Sequence, residues 1–188
     1  MSRNAAHRTG ALLNHIEAVY RPGERQLAID LFEALGCATA DTGVMNETGS
    51  SYVSVHPDPG DCNHDNVIYL GEMAGEQLRL EDMLRRRSDG DGELRATLDA
   101  FRSSAHERPF GHAHIAVRYP SFESLQMVLD QIEDRLTPEL KQRVRVNVFR
   151  PGDHDEVGPD SIQAFICTDV AGCGLLAAGQ VFELAAYK

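Results

Sequence analysis

Histidine, arginine and glutamate side chains lie in segments of this sequence that alternate like β-strands. Segment 110–119, FGHAHIAVRY, places His112, His114 and Arg118 on one face and mainly apolar side chains on the other. The apolar face can join a core. The other face, with two imidazoles and a guanidinium, is suited to a metal site, a ligand cleft or bulk water.

Two further segments carry polar groups in the same alternating pattern. Segment 12–20, LLNHIEAVY, places His15 and Glu17 on one face. Segment 180–187, QVFELAAY, places Glu183 on the face with the smaller side chains. Burying a carboxylate without a partner costs free energy, so we expect Glu183 to face a metal, another cation or water.

The elements that position these strands follow the same order in both halves of the chain. The first half reads as a strand, a helix and about three strands, over residues 12–20, 24–35, 37–42, 51–56 and 66–71. The second half repeats this order over residues 110–119, 121–136, 144–149, 161–168 and 180–187. Leucines and methionines at helical spacing between the halves predict a mainly helical connector.

Composition limits the classes of function. The chain has 188 residues, of which 42% are hydrophobic, enough for one domain or for two half-domains that share a core. Its net charge of −11 argues against nucleic acid as a partner. No apolar run approaches the ~20 residues that span a membrane. Four cysteines without a C-x-x-C motif indicate reduced thiols and a cytoplasmic location.

Three pieces of the sequence resemble the vicinal-oxygen-chelate superfamily, which includes glyoxalase I, extradiol dioxygenases and bleomycin-resistance proteins. NHIEAVYRPGERQLAIDLFEALG resembles its first strand and helix, HIAVRYPSFES its G-H-I-A-F strand, and QVFELAAY its closing G-x-x-I-E-L strand. The resemblance implies an α+β fold in which two βαβββ modules form a cupped mixed sheet around one cleft. The expected boundaries are an N-terminal tail at 1–11, modules at 12–72 and 110–188, and the helical connector at 73–109.

The resemblance also implies a divalent metal ion, held by His15, His114 and Glu183. The ion is Fe, Zn, Ni, Co or Mn, and open coordination positions remain for a substrate. The implied activity is that of a glyoxalase-like lyase or isomerase acting on a small substrate with two neighbouring oxygens. Glu17 or Glu183 then serves as the base that transfers a proton.

The fourth ligand position of the family falls on Tyr69. Glu72 lies three residues further on and therefore faces away, unless a bulge at Gly71 turns it inward as a possible fourth ligand. Tyr69, His112 and Arg118 are then expected to contact the substrate or to support the ligands. Two alternative functions remain open. One is an iron(II) extradiol ring-cleaving dioxygenase, and the other is a non-catalytic protein that sequesters a small molecule. A homodimer is expected, because open sheets usually cover their edges.

Overall fold

The computed structural model describes residues 13–62 and 65–187. The predicted tail at 1–11 and the predicted strand start at residue 12 lie outside this part. The described residues form an α+β fold with two mixed sheets, of five and four strands, and five α-helices. Within them, no helix is both long and apolar enough to cross a membrane.

The first half builds most of the five-stranded sheet. Its elements are β1 (His15–Tyr20), α1 (Arg25–Ala34), β2 (Ala38–Met45), β3 (Ser51–His56) and β4 (Val67–Glu72). Strands β1 and β4 are parallel and the other neighbours are antiparallel, which gives the order β2-β3-β4-β1. Helix α1 stops before Gly36, whose φ of 82° is the left-handed conformation that commonly ends a helix.

Two helices connect the halves, as predicted. They are α2 (Gly75–Gly90) and α3 (Gly92–Glu107), and a short 3-10 turn, Pro109–Gly111, follows. The predicted loop at 88–92 is reduced to Asp91. One residue is sufficient to separate the two helices, because the Asp91 side chain accepts hydrogen bonds from the backbone N–H groups of Glu93 and Leu94 and so caps α3.

The second half repeats the strand arrangement of the first. Its elements are β5 (His114–Arg118), α4 (Phe122–Arg135), α5 (Pro138–Arg143), β6 (Val144–Phe149), β7 (Ser161–Thr168), β8 (Ala171–Gly172) and β9 (Gln180–Tyr187). The sheet order is β5-β9-β7-β6, with β5 parallel to β9. The predicted cap of α4 is confirmed, since Ser121 and Ser124 form a capping box. The short elements α5 and β8 were not predicted.

Strand β8 links the second half to the first sheet. It pairs antiparallel with the end of β1, where Gly172 lies opposite Val19. A Cβ atom at Gly172 would lie 2.9 Å from the Cβ of Gln180, so glycine is required for this close approach. The described strands thus form two sheets and not the single cupped sheet that was expected.

The two halves share one hydrophobic core. It contains Tyr20 of β1, Phe32 of α1, Leu125 of α4 and Phe182 of β9, all buried. The rings of Phe32 and Phe182 meet edge to face, with 5.3 Å between their centroids. This aromatic contact joins the helix of the first half to the last strand of the second.

Candidate functional site

The strands present the candidate site residues on the faces that point away from this core. On β1, Ala18 and Tyr20 are buried, whereas His15 and Glu17 are exposed. On β5, His114 is exposed in the same way. The predicted assignment of side chains to the two faces of these strands is therefore confirmed.

The second sheet brings His114 and Glu183 together. The Nε2 atom of His114 lies 3.0 Å from Oε2 of Glu183, whose side chain is only 8% exposed. The Nδ1 atom of His114 lies 2.8 Å from the carbonyl oxygen of His112. Because a carbonyl can only accept, Nδ1 donates this hydrogen bond. When the ring is protonated, Nε2–H donates to Glu183 in an ion pair, and in the neutral ring Nε2 carries a lone pair that faces the carboxylate.

This arrangement fits two positions of a metal site. Two donor atoms at right angles, each about 2.1 Å from one ion, lie about 3.0 Å apart, which matches the observed separation. A hydrogen bond from the second ring nitrogen to a carbonyl is also typical of metal-binding histidines. A protein site normally supplies at least three ligands, so the pair needs a further one.

The third expected ligand, His15, does not join the pair. Its Nδ1 lies 2.7 Å from Oδ1 of Asn14, and its ring packs edge-on against Tyr69 at 5.5 Å. His15 lines a cavity of about 630 Å³ together with residues 115–120, but His114 is not among the lining residues. His15 lies on a strand of the five-stranded sheet and His114 on a strand of the four-stranded sheet. In the described part of the chain, no three His, Cys, Asp or Glu side chains are grouped to hold a metal.

Tyr69 and Glu72 lie on opposite faces of β4. Tyr69 pairs across the sheet with Glu17, and Glu72 pairs with Tyr20. The register is regular through Gly71, so no bulge turns Glu72 toward the candidate site. The regular register gives no support to Glu72 as a fourth ligand, and Tyr69 is the residue of β4 that shares a face with Glu17, as the alternation predicts.

His112 supports His114 through its backbone, and Arg118 lies beside Tyr187. A 3-10 turn delays the start of β5 to His114, so His112 is not on the strand. Its Nε2 lies 3.2 Å from Oγ of Ser104 on α3, and its carbonyl orients His114. The guanidinium of Arg118 lies 5.3 Å from the centre of the Tyr187 ring. His112 thus acts through its backbone, while a substrate contact of Arg118 stays a prediction.

Helix α3 covers part of the sheet face that carries the pair. Its Ala105 packs against Phe165 and Val181, which lie on this face beside Glu183. The side-chain amide of Asn147 donates a hydrogen bond to the carbonyl oxygen of His106 on α3. Beside this contact, Ala105, Cys167 and Val181 line a cavity of about 390 Å³, so the helix leaves part of the face open.

The corresponding face of the first sheet is open and forms a concave site of about 600 Å³, which we call the cup. The cup is lined by Glu17, Ala40, Thr42, Val44, Tyr52, Ser54, His56, Cys62 and Tyr69. Apart from Glu17 and Tyr69, the sequence patterns did not identify these residues as part of a site. The alternating pattern shows which residues of β2 share a face and which residues of β3 share a face. Only the order of the strands in the sheet places these two faces side by side.

Tyr52 and Glu17 are neighbours in the cup. A Cβ atom at Gly71 would lie 2.8 Å from the Tyr52 ring, so the ring lies directly over this glycine. Desolvation raises the pKa of Tyr52, and the charge and hydrogen bonding of Glu17 raise it further. The phenol therefore remains protonated at neutral pH and can donate a hydrogen bond.

Cysteine labelling provides a test of the cup. All four cysteines are free, and burial raises the pKa of Cys37 to about 12 and that of Cys167 to about 11. Since thiolates react and thiols do not, these two should be labelled slowly by a disulfide reagent at pH 8, and faster as the pH rises toward their pKa values. The exposed Cys62 and Cys173 should react first, as mass spectrometry of the labelled peptides can show.

A ligand in the cup should protect Cys62 and leave Cys173 reactive. Cys173 is an internal control because it is exposed and does not line the cup. Equal protection of both thiols would indicate a general effect of the ligand on the protein and contradict binding in the cup.

Comparison with protein-family models, with curated proteins and with solved structures finds no match to this chain. The relation to the vicinal-oxygen-chelate superfamily therefore stays a prediction from sequence motifs.

Proposed function

We propose that this protein binds a small organic molecule in the cup. The observation that carries this proposal is the contrast between two equivalent sheet faces. One is partly covered by α3, which leaves a cavity of about 390 Å³ beside it, and the other is an open concavity of about 600 Å³. Binding sites for small molecules are concave, typically about 300–1,000 Å³, and mostly apolar with a few polar groups. The cup has this size and this mixture of side chains.

The proposal includes the finer architecture expected from the family. Modules at 12–72 and 110–188 would each be a βαβββ unit, and the cup is the part of their cleft that α3 leaves open. The shared strand order supports this, because in both sheets the strand before the helix lies parallel to the last strand. The common core and the pairing of β8 with β1 support a fixed arrangement of the modules.

A cup-filling variant tests this proposal with the uncharged fluorescent probe N-phenyl-1-naphthylamine, whose emission rises in apolar sites. Ala40→Phe should weaken probe binding by about tenfold or more, because the ring occupies the volume the probe needs. Ala100→Phe, at an exposed position on α3, is the matched control and should bind like the wild type. Equal affinity for all three proteins would place the probe outside the cup and overturn the proposal.

A metal-dependent lyase or isomerase is the second candidate, and the His114–Glu183 pair is the observation that favours it. A divalent ion held there would polarise a substrate with two neighbouring oxygens. The carbonyl of His112 holds the His114 ring in the tautomer that binding requires. The missing ligand would come from the exposed His15 of a second copy of the chain, in a homodimer.

Metal analysis of protein purified without chelator tests this second candidate. We expect bound metal in the wild type, its loss in His114→Ala, and a dimer by light scattering. His154→Ala, in an exposed loop outside the pair, is the matched control and should retain the metal. Iron with oxygen sensitivity would favour the dioxygenase alternative, and other metals the lyase or isomerase. A metal-free monomer that takes up neither zinc nor cobalt would overturn the metal candidate and leave the cup proposal intact.

A further inference from the structure

The described lining of the cup contains the carboxylate of Glu17 and the imidazole of His56. Glu17 projects from β1 into the cup, and no lysine or arginine of the described residues lines it. Glu17 is exposed and makes no salt bridge with another residue in the described ranges. The nearby guanidinium of Arg25 is engaged elsewhere, 2.8 Å from Asp41. The cup therefore presents an uncompensated negative charge to a ligand.

Two tyrosine rings flank this carboxylate. Tyr69 is the direct cross-strand neighbour of Glu17 on the same face. Tyr52 lies close enough that Glu17 influences its ionisation. Ammonium groups are attracted both to carboxylates and to the faces of aromatic rings. The three side chains together thus offer what an organic ammonium group requires.

The remaining wall and the size of the cup indicate an apolar body attached to that cation. Ala40 and Val44 of β2 contribute apolar surface on the side formed by this strand. A volume of about 600 Å³ exceeds that of an ammonium group alone. An anionic ligand is disfavoured, since Glu17 and the net charge of −11 both repel it.

We infer that the cup takes a small organic cation, an ammonium group attached to an apolar body. Glu17 is its counter-ion, and the rings of Tyr52 and Tyr69 lie beside the ammonium group. The inference rests on the proposed function and specifies the class of ligand that this site selects.

Three compounds with the same apolar body and different charges test the inference. They are 4-phenylbutylamine, 4-phenylbutan-1-ol and 4-phenylbutanoate, each used to displace N-phenyl-1-naphthylamine from the wild-type protein. The amine should bind about tenfold more tightly than the alcohol, and the carboxylate most weakly. This series decides the charge preference without any variant. Equal affinities, or tighter binding of the alcohol or the carboxylate, would overturn the inference.

A pair of charge-matched variants assigns the preference to Glu17. Glu17→Gln should reduce the affinity for the amine to that for the alcohol and leave the alcohol unchanged. Glu76→Gln removes the same charge from an exposed site on α2 and should change nothing. An amine preference that persists in Glu17→Gln would overturn the role of Glu17. Absence of probe binding to the wild type would instead count against the proposed function itself.

Discussion

Replacing Phe182 with alanine should lower the free energy of unfolding by about 3–5 kcal/mol. Phe182 is 1% exposed, and its ring meets that of Phe32 across the boundary between the two halves. The substitution leaves a cavity in the shared core, and the packed elements around it relax only partly. Urea denaturation followed by circular dichroism measures the effect, and one transition is expected because the halves share this core.

Phe101→Ala is the matched control for this prediction. Phe101 lies on α3 and is 48% exposed, so its truncation should cost less than about 1 kcal/mol. A similar small loss for Phe182→Ala, or two separate transitions in the wild type, would contradict a core shared by both halves.

Arg143→Met should lower the free energy of unfolding by about 2 kcal/mol at low ionic strength. The guanidinium binds both carboxylate oxygens of Glu24, at 2.8 and 3.1 Å, and its Nε lies 2.8 Å from Asp169. The Arg143 side chain is 19% exposed, so solvent screens this cluster only in part. Methionine keeps the apolar stem but leaves the two carboxylates with Arg21 as their remaining cation.

Arg79→Met is the control for charge loss at an exposed site. Its partner Glu76 is 85% exposed, and such pairs contribute about 0–1 kcal/mol. The difference between the two variants should shrink in high salt as charges are screened. Equal losses for Arg143→Met and Arg79→Met would show that the bridge from α5 to the first half contributes nothing specific.

Local patterns in the sequence were sufficient to predict which face each strand presents. Alternation places His15 and Glu17 opposite Tyr20, and the structure agrees, because a strand next to a core must direct its apolar side chains inward. The helix cap at Ser121 was equally predictable, since it depends on residues within one turn. The start of β5 was misplaced, where a turn precedes His114, and so was the end of β2, which runs to Met45.

The arrangement of strands from distant parts of the chain could not be predicted in this way. The expected convergence of His15 with His114 fails because the two histidines lie on strands of different sheets, and no local pattern specifies how those sheets are placed. The cup could not be predicted for the same reason, because Ala40, Tyr52 and Tyr69 share a face only through the strand order. The covering of the second sheet by α3 likewise depends on tertiary packing.

A titration of the isotope-labelled protein with 4-phenylbutan-1-ol, followed by two-dimensional NMR of the backbone amides, tests the central claim most directly. This uncharged compound reports on the cup independently of the charge preference inferred for it. We expect the changes in amide chemical shift to be concentrated at cup residues of β2, β3 and β4, including Ala40, Ser54 and Tyr69. The amides of His114 and Glu183 should change little. Shifts concentrated around His114 and Glu183, with the cup resonances unmoved, would contradict it.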